Sequence, residues 1–177
     1  MRFLVDIDDT ISNFGEVLIN ELNNIYNTSF TKEDINNWEW LRNNFKNPWF
    51  PTEYKTFWDK VSIDKNAIDC LEKLVQKGEE VYLVTASFPS DTLGYKIRKT
   101  LENFNEKYIN EENIIVCYNK SLIKGDIRID DGIHNLYKGD LNILLTQPWN
   151  KSFNVYKSNI LTIRKNNWKE IKNTFIK

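Results

Sequence analysis

Carboxylates lie at the ends of two segments of this sequence that have the pattern of strands. Asp6 and Asp8 lie two residues apart at the end of the apolar run 2–7, and Asp130 with Asp131 ends the segment 126–130, in which Ile127 and Ile129 alternate with charged residues. A turn or helix-cap role would explain Asp8 or the Asp130–Asp131 pair, but not Asp6, because an unpaired charge inside an apolar strand is costly. Oxygen ligands that leave positions for water and a substrate phosphate suit Mg²⁺. The pattern therefore favours a metal-assisted reaction at phosphorus.

The spacing of Asp6 and Asp8 predicts how two carboxylates share that reaction. Side chains two residues apart at a strand end project to the same side. One carboxylate can attack phosphorus and form an aspartyl-phosphate, while the other transfers a proton to the leaving oxygen. We expect these two residues to be catalytic.

Hydroxyl groups and a lysine complete the candidate catalytic set. Thr85 and Ser87 follow the apolar run 80–85, and Lys120 follows the run 113–118. Thr85 offers a hydroxyl and nearby backbone N–H groups, and Lys120 can neutralise charge that develops on phosphoryl oxygens. The alternatives are a helix cap for Thr85 or Ser87 and a solvated charge for Lys120, with Lys124 as its rival.

Apolar runs alternate with helical patterns over most of the chain. The sequence predicts five strands and four longer helices, at 2–7, 80–85, 113–118, 126–130 and 141–146 for the strands and 14–26, 63–77, 92–104 and 168–176 for the helices. This alternation indicates an α/β fold, a Rossmann-like parallel sheet with helices on both faces. The carboxyl ends of parallel strands meet at one crevice, so the polar residues above are expected to converge there.

An aromatic-rich insertion follows the first helix pattern. Four of the six tryptophans lie between residues 28 and 62, and Pro48 with Pro51 breaks any long helix there. We predict a core domain of residues 1–13 and 63–177 and a small helical cap of residues 14–62, named the cap segment below. Its aromatic residues form either a small core of their own or a binding surface.

Composition excludes several classes of protein. The formal net charge is −1 and only two cysteines occur, which argues against a broad basic surface for duplex DNA, a disulfide framework and a zinc site. No apolar run is long enough to cross a bilayer, and the first residues do not form a secretory signal. We expect a soluble cytoplasmic protein. A locally basic stretch after Pro148 is either a solvated surface or a contact for a polyanionic substrate.

Four motifs in order carry a resemblance to a known superfamily. Asp6-x-Asp8-x-Thr10, Thr85, Lys120 and Ile129-Asp130-Asp131 resemble the motifs of haloacid dehalogenase superfamily phosphotransferases. The resemblance implies an Asp6 nucleophile, Asp8 as general acid and base, and Thr85 with Lys120 on the phosphoryl oxygens. It also implies Mg²⁺ held by Asp6, the Asp8 backbone carbonyl and the Asp130–Asp131 pair, without deciding which of that pair lies closer.

A narrower resemblance is to the 5'(3')-deoxyribonucleotidases. It is carried by Phe14 eight residues after Asp6, by the cap segment, by 144–149 and by 168–171. It implies a small-molecule nucleoside monophosphate substrate, held by Phe14, Trp38, Trp40 and Ser87. The chain departs from the family pattern at Tyr118, at Asp9 and in the non-adjacent Trp38 and Trp40.

Other functions remain open on the sequence alone. A phosphatase of the same fold acting on sugar phosphates, or on the 3'-phosphate end of a nucleic acid, would fit the motifs and the basic stretch. A phosphoacceptor signalling domain also gathers an acidic pair, a phosphorylatable Asp, a hydroxyl and a lysine, and a catalytically silent binding module is a third alternative. A monomer and a homodimer are equally compatible with the sequence.

Overall fold

A computed structural model describes residues 1–86 and 92–176, and of Trp38 it describes the main chain only. Within these residues, six parallel strands form one sheet in the order β3-β2-β1-β4-β5-β6. The strands are β1 (Arg2–Asp6), β2 (Glu80–Thr85), β3 (Ile114–Val116), β4 (Ile127–Asp130), β5 (Leu141–Leu145) and β6 (Thr162–Lys165). The predicted α/β fold with a Rossmann-like parallel sheet is confirmed.

Six α-helices and several short 3₁₀ helices surround the sheet in the described part of the chain. The α-helices are α1 (Phe14–Tyr26), α2 (Trp38–Asn44), α3 (Lys55–Trp58), α4 (Lys65–Gln76), α5 (Leu93–Leu101) and α6 (Trp168–Phe175). Helix α4 begins where the Asp64 side chain accepts a hydrogen bond from the Asn66 amide at 2.7 Å. It is followed by Gly78, whose φ of 82° suits a residue without Cβ.

The sixth strand was not predicted from the sequence. Strand β6 lies at the sheet edge, pairs with β5 alone and is half-buried or exposed along its length. Its residues Thr162, Arg164 and Lys165 interrupt the apolar pattern, because an edge strand is not covered on both sides as β1 is. The strand predicted at 113–118 is also shorter, Ile114–Val116.

Each face of the sheet is covered in a different way. Phe3 and Val5 of β1 belong to a buried apolar cluster that includes residues of α4 and α6, which contact each other. On the opposite face the Arg128 side chain is buried, pairs with Asp140 at 3.0 Å and donates to the Ile123 carbonyl at 2.9 Å. These contacts of Arg128 hold the segments that contain Ile123 and Asp140 against this face of the sheet.

A second apolar cluster lies within the cap segment. It joins Phe14 and Leu18 of α1 to Phe57 and Trp58 of α3, and Trp149 packs against it. The division of the chain into a core and a cap stays a prediction, although the two clusters follow that division closely.

The strand order places one crevice at the centre of the sheet. Strands β2 and β3 lie on one side of β1, and strands β4, β5 and β6 lie on the other. The direction in which strands are added to the sheet therefore reverses between β1 and β4. Ligands of open α/β sheets bind at such a switch point, outside the carboxyl ends of the strands. Asp6 and Asp130 end these two strands. None of the described helices is both long and apolar enough to cross a membrane.

Candidate active site

Three buried carboxylates meet at the carboxyl ends of β1 and β4. Asp6, Asp130 and Asp131 each offer an oxygen, and these oxygens lie within 4.8 Å of one another. All three residues are buried. The convergence follows from the topology, because β1 and β4 are adjacent parallel strands that end at the same level.

Lys120 is the counter-ion of this cluster. It begins the 3₁₀ helix Lys120–Leu122, and its Nζ contacts Asp6 Oδ1 and lies 2.9 Å from Asp130 Oδ2. Burial alone would lower the pKa of the lysine, but the carboxylates of Asp6 and Asp130 outweigh burial and raise it. The ammonium group is therefore charged, and it lies beside the predicted nucleophile.

Thr10 connects the carboxylates through its hydroxyl. Its Oγ1 lies 3.2 Å from Asp6 Oδ2 and 3.1 Å from Asp131 Oδ1, and it accepts a hydrogen bond from the Asp131 amide at 3.1 Å. The loop that carries it is closed by the amides of Ile11 and Ser12, which both donate to the Ile7 carbonyl. Thr10 belongs to the Asp6-x-Asp8-x-Thr10 motif, but its role in joining the carboxylates was not predicted from the sequence.

Neutral donors fix the orientation of Asp130 and Asp131. Asp130 Oδ1 accepts hydrogen bonds from the Gly132 amide at 2.8 Å and from Asn135 Nδ2 at 3.0 Å. Asp131 Oδ2 accepts one from Trp149 Nε1 at 2.7 Å. The structure thus brings together Asp6, Asp130, Asp131 and Lys120 as the sequence predicted.

The electrostatics of the cluster suit a divalent cation. Burial is the main cause that raises the pKa of Asp6 to about 7, and the neighbouring Asp130 and Asp8 raise it while Lys120 lowers it. Burial, with Asp130 and Asp6 nearby, also raises the pKa of Asp131 well above its usual range. A cluster of carboxylates offers only oxygen donors and an excess of negative charge, and both properties suit a hard cation such as Mg²⁺.

Asp8 lies apart from the three clustered carboxylates. Its Oδ2 lies 2.5 Å from Lys96 Nζ, and within the described residues its buried Oδ1 has no hydrogen-bond partner. The expected metal contact of Asp8 was its backbone carbonyl, and that contact stays a prediction. The carboxylate itself is held by a lysine that the sequence analysis did not identify.

Thr85 is held by the same lysine. Lys96 Nζ donates to Thr85 Oγ1 at 2.7 Å, and Thr85 is fully buried at the end of β2. The predicted contact of Thr85 with phosphoryl oxygens stays a prediction. The sequence carries no signal for Lys96: Thr92, Lys96 and Thr100 recur every fourth residue in the predicted helix 92–104, which is typical of a solvated face, yet all three are buried.

A cleft of about 250 Å³ opens beside these groups. It is lined in part by Asp6, Asp8 and Lys120, and also by Tyr118 and His134. Tyr118 is 85% exposed. The cleft therefore presents the predicted nucleophile, the predicted acid and the ammonium group to one space.

The residues predicted to hold a nucleobase lie in different environments. Phe14 is buried against Phe57 and Trp58, with ring centroids 5.5 and 5.8 Å apart, and Trp40 packs edge-on against Phe30 at 4.9 Å. The Trp38 side chain and Ser87 lie outside the described residues. Base binding by these four residues stays a prediction.

Asp9, a departure from the family pattern, fixes the start of α1. Its φ of 55° is left-handed, and its carboxylate accepts from the Gly15 amide at 2.9 and 3.0 Å. Lys32 Nζ lies 2.7 Å from Asp9 Oδ1. A Cβ on Gly15 would lie 2.8 Å from Asp9 Oδ2, so a larger residue there would displace this carboxylate. The loop that carries Asp9 and Thr10 is thereby tied to the cap segment.

Comparison with known proteins places the chain among nucleotidases, a class whose chemistry this site could support. A family model described as "5' nucleotidase, deoxy (Pyrimidine), cytosolic type C protein" matches residues 1–177. Proteins named 5'(3')-deoxyribonucleotidase from Bacillus subtilis and from Bacillus phage SPbeta are each 33% identical over 153 residues, which cover 84% of this chain and 83% of theirs. One of the same name from Clostridium acetobutylicum is 29% identical over 178 residues, covering 95% of this chain and 91% of its own.

These matches confirm the resemblance to haloacid dehalogenase-type phosphatases and the prediction of a phosphoric monoester hydrolase. The chain belongs to the 5' nucleotidase, deoxy (pyrimidine), cytosolic type C family.

Proposed function

We propose that this protein is a Mg²⁺-dependent phosphatase of deoxyribonucleoside monophosphates that works through an aspartyl-phosphate. The observation that carries the proposal is the position of Asp6, which shares one cleft with Lys120 and Asp8 and one buried cluster with Asp130 and Asp131. The relatives match most of this chain, and their names supply the substrate class.

The carboxylates of Asp6, Asp130 and Asp131 would hold the metal ion, joined by the backbone carbonyl of Asp8. Their oxygens are close enough to share one cation, and their raised pKa values reflect the charge that a cation would neutralise. When bound, Mg²⁺ offsets the negative charge of the phosphate and of the carboxylates around it.

Asp6 is the nucleophile in this proposal. One of its carboxylate oxygens forms a bond to phosphorus while the bond from phosphorus to the sugar oxygen breaks, which gives an acyl phosphate. Asp8 gives its proton to the departing sugar oxygen, then takes a proton from the water that attacks the acyl phosphate. The bond from phosphorus to the Asp6 oxygen breaks in this second step, which releases inorganic phosphate and regenerates free Asp6.

Lys120 and Thr85 would hold the phosphoryl oxygens during both steps. Lys120 lines the cleft and its ammonium contacts Asp6, so it lies near the phosphoryl oxygens on which negative charge would develop. Thr85 would contribute through its hydroxyl and the backbone amides that follow it. Phe14, Trp38, Trp40 and Ser87 would bind the base and phosphate, with the cap segment over the cleft.

The test is phosphate release with and without Mg²⁺. Substrates would be deoxy- and ribonucleoside 5'- and 3'-monophosphates, a sugar phosphate and a 3'-phosphorylated oligonucleotide. We expect turnover on the deoxyribonucleotides alone, dependent on Mg²⁺ and abolished by Asp6→Asn. The matched control is Asp69→Asn, a half-exposed aspartate outside the cleft that pairs with Lys73 at 2.7 Å and with Lys172 at 2.5 Å and should keep full activity.

Two results would overturn the proposal. Turnover confined to the oligonucleotide would assign the cleft to nucleic-acid ends, and a stable phosphoprotein without turnover would assign it to signalling. Substantial activity of Asp6→Asn would contradict the aspartyl-phosphate mechanism.

A further inference from the structure

Lys96 occupies an unusual position for a lysine. It lies in the middle of α5, is 1% exposed, and its ammonium lies 2.5 Å from Asp8 Oδ2 and 2.7 Å from Thr85 Oγ1. A buried ammonium group is costly unless it is paired and hydrogen-bonded. Lys96 has both a charge partner and a hydroxyl acceptor, so its burial is compensated by a fixed geometry.

The contact with Lys96 restricts the orientation of the Asp8 carboxylate from the interior of the protein. Asp8 is 22% exposed and lines the cleft, whereas Lys96 lies behind it in the interior. The carboxylate can rotate about two side-chain bonds, and a charge-assisted hydrogen bond to one oxygen removes most of that freedom. Thr85, fully buried at the end of β2, fixes the direction of the ammonium in turn.

The same helix is joined to the cap segment at two points. The Lys96 ammonium lies 5.5 Å from the ring centroid of Trp58, within cation–π range. The Thr92 hydroxyl donates to the Thr52 carbonyl at 2.7 Å, and Trp58 Nε1 donates to the same carbonyl at 3.0 Å. Helix α5 therefore holds Asp8 in a frame that includes the strand β2 and the cap segment.

We propose that Lys96 is a positioning residue that orients the Asp8 carboxylate for proton transfer to the leaving sugar oxygen. This inference rests on the proposed function, because it takes Asp8 as the acid. Lys96 acts through Asp8 and does not itself touch the substrate. Its loss should therefore lower kcat/KM, which reports the first chemical step, only when the leaving group needs a proton, whereas hydrolysis of the acyl phosphate is common to all substrates.

The first experiment compares two leaving groups in Lys96→Met, with Lys96→Gln as the second variant if the first does not fold. The leaving group of deoxyuridine 5'-monophosphate is the 5'-alkoxide of deoxyuridine, which needs a proton, whereas p-nitrophenyl phosphate releases p-nitrophenolate, which is stable without one. A general acid contributes roughly 10²–10⁴-fold, so we expect kcat/KM to fall by about 100-fold for the nucleotide and less than about threefold for the nitrophenyl ester. Equal losses on both substrates would overturn the inference.

The second experiment is a double-mutant cycle. If Lys96 acts through Asp8, then Lys96→Met has no further effect on nucleotide turnover once Asp8→Asn is present. Additive losses would show that Lys96 acts by another route and would contradict the proposal. The double variant also removes both charges together, which avoids leaving either one unpaired in the interior.

Lys99→Met is the matched control on the same helix. Its side chain is 35% exposed and pairs with Glu102 at 3.3 Å, away from Asp8. We expect wild-type kinetics on both substrates. Failure of the wild-type protein to hydrolyse any nucleotide would refute the proposed function, whereas active wild-type protein with unaffected Lys96→Met would refute the positioning role alone.

Discussion

The metal-free protein is predicted to gain stability when Asp6 is replaced by Asn, although we expect the same change to abolish turnover. Asp6 is buried and its pKa is raised to about 7, mainly by burial and despite the attraction of Lys120. An Asn side chain would keep an oxygen that accepts a hydrogen bond from Lys120, and its NH2 group could donate to the Thr10 hydroxyl oxygen. It removes the charge that is unfavourable in the interior.

The magnitude follows from the difference in pKa between the folded and unfolded states. In the unfolded chain Asp6 ionises near its ordinary value of 3.8, and in the folded protein near 7. Between these values the folded state holds more protons, so stability falls as the pH rises from about 4 to 7. At about 1.4 kcal/mol per unit, Asp6→Asn should gain on the order of 2 kcal/mol at pH 5 and on the order of 4 kcal/mol at pH 8.

The assay is urea unfolding in the presence of a chelator at pH 5, 6, 7 and 8, followed by far-ultraviolet circular dichroism. The matched control is Asp140→Asn, a buried carboxylate outside the cleft that pairs with Arg128 at 3.0 Å. Removing it leaves the guanidinium unpaired and should destabilise the protein by about 3–5 kcal/mol. The two substitutions of Asp by Asn thus have opposite expected signs.

Two results would refute this reasoning. A gain for Asp6→Asn that is the same at pH 5 and pH 8 would show that the ionisation of Asp6 is not its origin. A loss of stability at pH 8 would show that the contact of Asp6 with Lys120 is worth more than the burial of its charge.

Three further predictions concern the metal, the catalytic loop and the cap segment. Mg²⁺ binding at pH 7 should release protons from Asp6 and Asp131, whose pKa values are raised by burial; a calorimetric enthalpy that is independent of buffer ionisation would contradict this. Thr10→Val should lower kcat/KM at least about tenfold and stability by about 1–3 kcal/mol, since it leaves buried carboxylate oxygens unpaired. Exposed Thr28→Val is its control in kinetics and urea unfolding. Phe14→Ala should cost about 3–5 kcal/mol in urea unfolding because it opens a cavity against buried aromatic rings; a cost below about 1 kcal/mol would contradict the packing.

The elements of the fold were predictable where burial imposes a continuous pattern. Strands β1, β2 and β5 are largely apolar runs because both of their faces are covered, and α4 has the pattern of a helix with one apolar face. Strand β6 was not predictable in this way. It is stabilised by backbone pairing with β5, which constrains its side chains little.

The sequence by itself determined the α/β class, the family and the convergence of Asp6 with Asp130 and Asp131. It could do so because all strands of a parallel sheet bring their carboxyl ends to the same edge, wherever the rest of the chain lies. These conclusions depend on local patterns and on chain order, and both can be read directly from the residues.

Only the tertiary structure decided how the charges pair within the site. It separates Asp8 from the clustered carboxylates and joins it to Lys96, which lies 88 residues away in the chain. It also places the Trp149 indole on Asp131. A lysine or tryptophan carries no local sign of such a partner, because the distance between two distant side chains is set by the packing of helices and loops on the sheet.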